Sequence, residues 1–413
     1  RSDNQFSMAE AFAIKDGKFV AVGSNRQINR RYHATKILDV AGRSIYPGLI
    51  DGHCHFVGYS ETKARYADLT GCTSFEEVMD RLEKHNASNN SDWLLGRGWD
   101  QNLWEVKKFP ENTELERRFP DKKVLLTRVD GHAVIVSSNV LKTIGLNENS
   151  KVAGGEIVLN AKGKPTGVLI DNAADLAKAA IPPMDKAQKI NAMKQAQRNC
   201  FALGLTAVTD AGLDISSIEL IDSLQQAGVL KMKVNAMINP DDETMEHFMS
   251  RGVIDKERLT VRSVKIYADG ALGSRGAKLI EPYADDPENS GLILENEEFY
   301  DKVCEKSYKA GYQVCCHAIG DGGVRMILHE YGKFLKGEND LRWRIEHSQV
   351  VHPADLAMFK QYNIIPSVQA THCTSDMPWA EDRLGSDRIS SAYAYKTRSE
   401  ERFSRNAETD IVC

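Results

Sequence analysis

Two histidines in the run Pro47-Gly48-Leu49-Ile50-Asp51-Gly52-His53-Cys54-His55-Phe56 stand two residues apart where an apolar segment gives way to polar residues. On an extended strand, side chains at i and i+2 share a face, so His53 and His55 project together while Cys54 faces the other way. Neutral imidazole is a common ligand of zinc and similar ions, and two imidazoles from one strand end leave the remaining coordination positions to other parts of the chain. Three later segments offer candidates. In Ser263-Val264-Lys265-Ile266-Tyr267-Ala268-Asp269-Gly270, Lys265 sits within an apolar run on the face that Asp269 shares. A lysine there must be paired, deprotonated or modified, because burying a bare ammonium is costly. The runs Val314-Cys315-Cys316-His317-Ala318 and Trp343-Arg344-Ile345-Glu346-His347 each deliver one more histidine. Taken singly, such a histidine is more often a hydrogen-bonded core residue and such a lysine an ion-paired one. Their order is the signal: two His, then Lys, then His, then His, each at the end of a successive apolar run.

The elements that must carry these residues are short apolar strands alternating with helical patterns. Strand-like runs cover residues 45–51, 206–210, 233–238, 264–269, 313–317, 343–347 and 364–369, and helical patterns between them include 185–203, 298–310 and 353–362. Near-continuous apolar strands alternating with helices predict an α/β fold with a parallel sheet covered by helices. Seven strands of a TIM-like (β/α)₈ barrel can be counted, with every candidate residue at a C-terminal strand end, the face where such barrels place their active sites. The first and second strands are separated by about 150 residues, far beyond an ordinary loop, so an inserted subdomain is expected at about 57–200. It has strand-like runs at 93–98 and 124–129 and a hairpin formed by 155–159 and 167–170. Before the barrel, residues 1–46 read as a partial β domain: apolar runs on either side of Asp16-Gly17 predict a hairpin, and Lys36-Ile37-Leu38-Asp39 a further strand.

Composition narrows the function class. The 413 residues carry a formal net charge of −5, which offers nucleic acid or an anionic membrane no basic surface. Eight cysteines are scattered without paired spacing, so a reducing, cytoplasmic setting is expected and a disulfide framework is not. No apolar run approaches the length of about 20 residues that a membrane span needs.

The stretches PGLIDGHCH, RGWDQNLW, LLTRVDGH, GLTAVTDAG, VKIYADGALGSRGA, CHAIGD and RIEHSQ resemble, in order, amidohydrolase family 3 of the amidohydrolase superfamily, the group that includes N-substituted formamide deformylase, YtcJ-like proteins and a plant far-red light signalling protein. The resemblance implies two divalent ions, zinc being the expected metal. His53 and His55 would hold one, His317 and His347 the other, and an N-carboxylated Lys265 would bridge them. It implies hydrolysis of a carbon–nitrogen, non-peptide bond of a small amide-type substrate by metal-activated water. It also places Trp99, Asp100, His132, Asp269 and Gln369 at the substrate pocket. Homo-oligomerisation is left open.

Two departures accompany the resemblance. The family closes its barrel with an eighth strand ending in Gly-Ser-Asp, whose Asp ligates metal and takes a proton from water. Here Gly385-Ser386-Asp387 follows no apolar strand, and residues 398–413 form an atypical polar tail. The expectation is therefore a barrel over 47–397 without its eighth strand, C-terminally truncated, with no identifiable catalytic carboxylate and impaired turnover. Two rival readings stand beside it: a single-metal deaminase of the same superfamily, which would not need Lys265, and a non-catalytic regulatory protein.

Overall fold

The computed structural model describes residues 7–88, 91–129, 131, 133–152, 155–337 and 339–395. Seven strands form one parallel sheet in strict chain order: β1 (Leu49–Cys54), β2 (Leu205–Leu213), β3 (Lys233–Ile238), β4 (Leu259–Tyr267), β5 (Gln313–Ala318), β6 (Arg344–His347) and β7 (Ile365–Ser367). Each neighbouring pair is parallel, so each connection must cross over the sheet, and helices such as Ile215–Gln226, Glu297–Ala310 and Asp321–Phe334 make those crossovers. Among the described residues β1 and β7 are the sheet edges, each paired on one side only.

Local chemistry sets these boundaries. The helix Lys186–Ala202 begins at Asp185, whose side chain accepts from Gln188 N–H while Gln188 reaches back to the cap, a reciprocal capping box. The helix Glu297–Ala310 starts at Asn296 and stops at Gly311, which takes a left-handed φ of 69° that a side chain would disfavour. Alternate residues of β4 and β5, among them Val264, Ile266, Val314 and Cys316, are fully buried against the helices and form the main core. The opposite set of alternating residues is turned to the barrel interior, where the chemistry lies.

The insert is a mixed sheet ordered Tyr66–Asp68, Trp93–Trp99, Lys123–Arg128, Ala133–Val136, Pro165–Asp171, Gly155–Leu159, with its own two apolar clusters. Its first and fourth strands are too short to show periodicity in the sequence. The N-terminal reading needs correction. The hairpin Ala11–Lys15/Lys18–Gly23 forms, but a capped helix Asn25–Arg31 follows, and no strand occurs at Lys36–Asp39. Ile37 and Leu38 there are 78% and 77% exposed, without a neighbouring strand to pair with among the described residues. Strand β1 begins at Leu49 rather than Ile45, because Pro47 has no N–H to give and β2 starts only at Leu205, opposite Leu49. The expected tail at 398–413 and the Asp130 and His132 positions lie outside the described residues. Among those described, no helix is long and apolar enough to cross a membrane.

Candidate metal and active site

His53, His55, Lys265, His317 and His347 meet at the C-terminal ends of β1, β4, β5 and β6. The imidazoles form a contiguous row: ring centroids are 5.8 Å apart for His55 and His53, 4.8 Å for His53 and His347, and 4.6 Å for His347 and His317. Tyr267 continues the row, 5.6 Å from His317, and the Lys265 amine lies 4.0 Å from the centre of its ring. Strand alternation alone would turn His347 away from this cluster, alongside Ile345. Left-handed φ values of 71° at His347 and 43° at Ser348 swing it inward. Such conformations cost about 1–3 kcal/mol each in a non-glycine residue and concentrate at functional sites.

Two of the rings are held by acceptors on their Nδ1 side. His53 donates to Glu346 Oε2 at 2.6 Å, and His347 donates to Gln369 Oε1, which also accepts from His372 Nε2 at 3.1 Å. In both rings this leaves Nε2 as the basic nitrogen, the arrangement by which an outer carboxylate or carbonyl fixes the tautomer of a ligating histidine. Burial, with the Lys265 charge and neighbouring imidazoles, keeps His317 down at about 4 and lowers His347 and His55 as well, which favours the neutral form of these three rings. Among the described residues no three His, Cys, Asp or Glu side chains are arranged to hold an ion by themselves. Lys265 stands beside these rings: it is 1% exposed, and its charge acts on His55, His317 and His347 together.

Glu346 and Arg344 belong to this site and were missed from the sequence, although the argument applied to His53 and His55 finds them: they stand two apart in an apolar strand and so share its interior face. Arg344 grips both Glu346 oxygens at 2.6 and 2.7 Å and also donates to Gly52 O on β1 and Ser367 Oγ on β7, each at 2.9 Å. One guanidinium thus ties together the two edge strands of the sheet.

The expected pocket residues divide. Gln369 lies in the site, against His347. Asp269 is adjacent to it, 3.6 Å from His317 Nε2, but its carboxylate accepts the N–H groups of Ile319, Gly320 and Lys278 at 3.0, 2.8 and 2.9 Å and so shapes the loops. Trp99 is a core residue of the insert. Its indole is 1% exposed, donates to Leu126 O and stacks on Trp104, which is the packing a tryptophan in an apolar sheet adopts. Asp100 caps the short turn after it and pairs with Arg128 at 2.6 Å. His132 lies outside the described residues.

Asp210, on β2, anchors the loop that follows His55. It is 1% exposed and accepts the N–H groups of Val57 and Phe56, the first turn of the helix Phe56–Arg65. Burial outweighs these donors and pushes its carboxyl up to about 6. A folded-state value above the unfolded value of about 3.9 means that the native state holds the extra proton, so stability is fully present below about pH 4 and is lost as pH rises toward 6, with a slope of up to about 1.4 kcal/mol per pH unit. Asp210→Asn is expected to flatten that segment of the curve. Urea midpoints at pH 4, 5, 6 and 7 check this, and equal slopes in both proteins would contradict it.

The amidohydrolase family matches residues 36–412, a span that runs through the segment read above as a departure from it. The chain is 31% identical to a putative amidohydrolase, YtcJ, of Bacillus subtilis (strain 168), over 94% of this chain and 74% of the relative. It is 29% identical to the protein LONG AFTER FAR-RED 3 of Arabidopsis thaliana, over 96% of this chain and 71% of that one. An uncharacterized metal-dependent hydrolase from Pyrococcus horikoshii OT3, known from a crystal structure, superposes with a TM-score of 0.75 at 26% identity, over 94% of this chain and 76% of that one.

Proposed function

Because the chain belongs to the amidohydrolase family, we propose that it is a metal-dependent hydrolase of carbon–nitrogen bonds other than peptide bonds, acting on a small N-formyl or N-acyl amine. The observation that carries this reading is the row of four imidazoles closed by a buried lysine. The donor set suits zinc or a similar borderline ion: nitrogen ligands, tautomers fixed from behind, and room for an anionic bridge if Lys265 is N-carboxylated. His53 and His55 would hold one ion, and His317 and His347 a second. A divalent ion in this place supplies Lewis acidity toward an amide carbonyl and a lower pKa for water. The protein's own part is orientation. Glu346 and Gln369 keep the Nε2 atoms of His53 and His347 available, Arg344 stabilises the Glu346 carboxylate, and Asp269 fixes the loops on which His317 is seated.

Proton transfer is the weak link. Each carboxylate near the histidines among the described residues is already engaged: Asp210 and Asp269 by backbone N–H groups, Glu346 by His53 and Arg344. This supports slow turnover by these residues, since an acid or base partner is typically worth about 10²–10⁴-fold. It also favours a second reading, a non-catalytic regulatory chain.

One experiment tests these readings. Chain stripped by chelator and reloaded with zinc, manganese or nickel is expected to bind two ions and to release amine from N-formyl and N-acetyl amines, with activity lost again on chelation. Ammonia release from an amino-substituted heterocycle with one ion per chain would indicate the deaminase instead. A reloaded chain that takes up two ions yet releases neither product would favour the regulatory reading.

A further inference from the structure

Gln369 follows the end of β7, and its Oε1 accepts from two imidazoles at once: from His347 Nδ1–H and, at 3.1 Å, from His372 Nε2–H. His372 belongs to the short helix Thr371–Ser375, and its ring stands nearly perpendicular to that of His347, with centroids 5.7 Å apart. One carboxylate braces both sides of this link. The buried Asp376 accepts from Gln349 Nε2 at 3.0 Å, from the Tyr393 hydroxyl at 2.7 Å and from Ser375 Oγ at 2.7 Å, while its own N–H donates to His372 O at 3.1 Å. Gln349 lies two residues beyond His347, so the chain on either side of Gln369 is held at the same point.

A carboxamide presents an acceptor at one end and donors at the other. Among the described residues no hydrogen bond holds the Nε2 end of Gln369. With His347 alone, two pairings would therefore compete. In the first, His347 Nδ1–H donates to the Gln369 oxygen and Nε2 keeps its lone pair. In the second, the Gln369 amide donates to Nδ1 and the ring proton moves to Nε2, which can then hold no ion. His372 decides between them, because its Nε2–H pairs only with the oxygen. The reversed chain would put the His372 proton on Nδ1 instead. There the nearest carboxylate oxygen is that of Asp376 at 4.0 Å, beyond hydrogen-bond reach and already served by other donors.

We propose that His372 is a positioning residue of the metal site, acting through Gln369: its Nε2–H turns the Gln369 oxygen toward His347, which keeps the His347 proton on Nδ1 and leaves Nε2 free for an ion. The assignment rests on the hydrolase reading above and adds to it a residue outside the barrel strands. It also gives the Asp376 clamp a purpose, since one oxygen can serve two rings only while their spacing is fixed. His347 needs such a hold because its backbone, with φ of 71°, has left the strand geometry that would otherwise orient its side chain.

Two readouts test it without requiring turnover. In the metal-free full chain carrying isotope-labelled histidine, at mildly alkaline pH, nitrogen–proton NMR correlations are expected to place the His347 proton on Nδ1. In His372→Phe, which keeps a ring and removes the donor, they should show a mixture of the two tautomers, and His372→Ala serves where the phenylalanine variant melts early. Competition for zinc against a chelating dye is expected to show one ion held about tenfold less tightly in His372→Phe, within the range for losing an outer partner of a ligating histidine. Gln369→Glu supplies the control. A carboxylate has no donor end, so in that background His372→Phe is expected to change neither the tautomer nor the affinity. An unchanged His347 tautomer in the His372 variants, or an equal loss of zinc affinity with and without Gln369→Glu, would overturn the assignment and leave the hydrolase reading standing. A wild-type chain that takes up no zinc would overturn the hydrolase reading, while the tautomer measured without metal still decides the role of His372.

Discussion

Lys265→Ala is expected to reduce the bound metal from two ions per chain to one or fewer and to cut amide hydrolysis by about 100-fold or more, the scale seen when reacting groups lose their placement. The reasoning starts from an electrostatic oddity. Lys265 is 1% exposed and is surrounded by imidazoles rather than carboxylates; among the described residues no acidic side chain lies within salt-bridge distance of its amine. As an ammonium it repels the protonated forms of its neighbours, which is why its charge contributes to the depressed values of His55, His317 and His347. A bare cation so placed would also repel any metal ion seated on those histidines. Carboxylation of the amine would reverse the sign, replacing a buried cation by an anion beside the histidines. Metal analysis of purified wild type and variant checks the stoichiometry. Added acetate or propionate should restore part of the second ion in the alanine variant by standing in for the carbamate. Unchanged stoichiometry would mean that the lysine is structural and that one ion suffices, which is the deaminase-like alternative.

Much of this site was legible in the sequence because the barrel converts position into function. Once the apolar runs are read as parallel strands, a polar residue on the inward face of a C-terminal strand end has one place to go, and His53 and His317 follow from that rule. Lys265 follows from the cost of burying it. What was not legible depends on contacts between distant segments or on departures from regular backbone. His347 faces inward only because two successive residues turn left-handed, and no propensity in His-Ser announces that. Trp99 looked like a pocket residue on resemblance, yet an indole beside Leu126 and Trp104 has more apolar surface to bury inside the insert than at a polar mouth. The strand expected at Lys36–Asp39 failed for a related reason, since an apolar run becomes a strand only where another edge receives it.

Arg344→Met is expected to destabilise the fold by about 3–5 kcal/mol, the cost of breaking a buried ion pair by removing one partner. Arg344 and Glu346 sit on the same inward face of β6, with the Glu346 side chain fully buried and the arginine largely so. Removing the guanidinium leaves the Glu346 carboxylate with His53 alone, and it releases Gly52 O on β1 and Ser367 Oγ on β7. Because those two strands are the sheet edges among the described residues, the substitution weakens the contact between them as well as the ion pair. Equilibrium unfolding in urea, monitored by tryptophan fluorescence, should show the midpoint fall with little change in slope. The pH dependence separates the pair from simple packing. Burial alone would raise the Glu346 carboxyl, but the His53 hydrogen bond and the Arg344 charge hold it well below the ordinary carboxylate range. A folded-state value below the unfolded value of about 4.3 places this contribution to stability above pH 4.3 and removes it as pH falls further. Wild type should therefore lose stability steeply below about pH 4, and Arg344→Met should lose less over the same interval, because the carboxylate it leaves behind is easier to protonate. Parallel acid-unfolding curves for the two proteins would mean that the guanidinium acts by filling space and by its contacts to Gly52 and Ser367, with no electrostatic hold on Glu346.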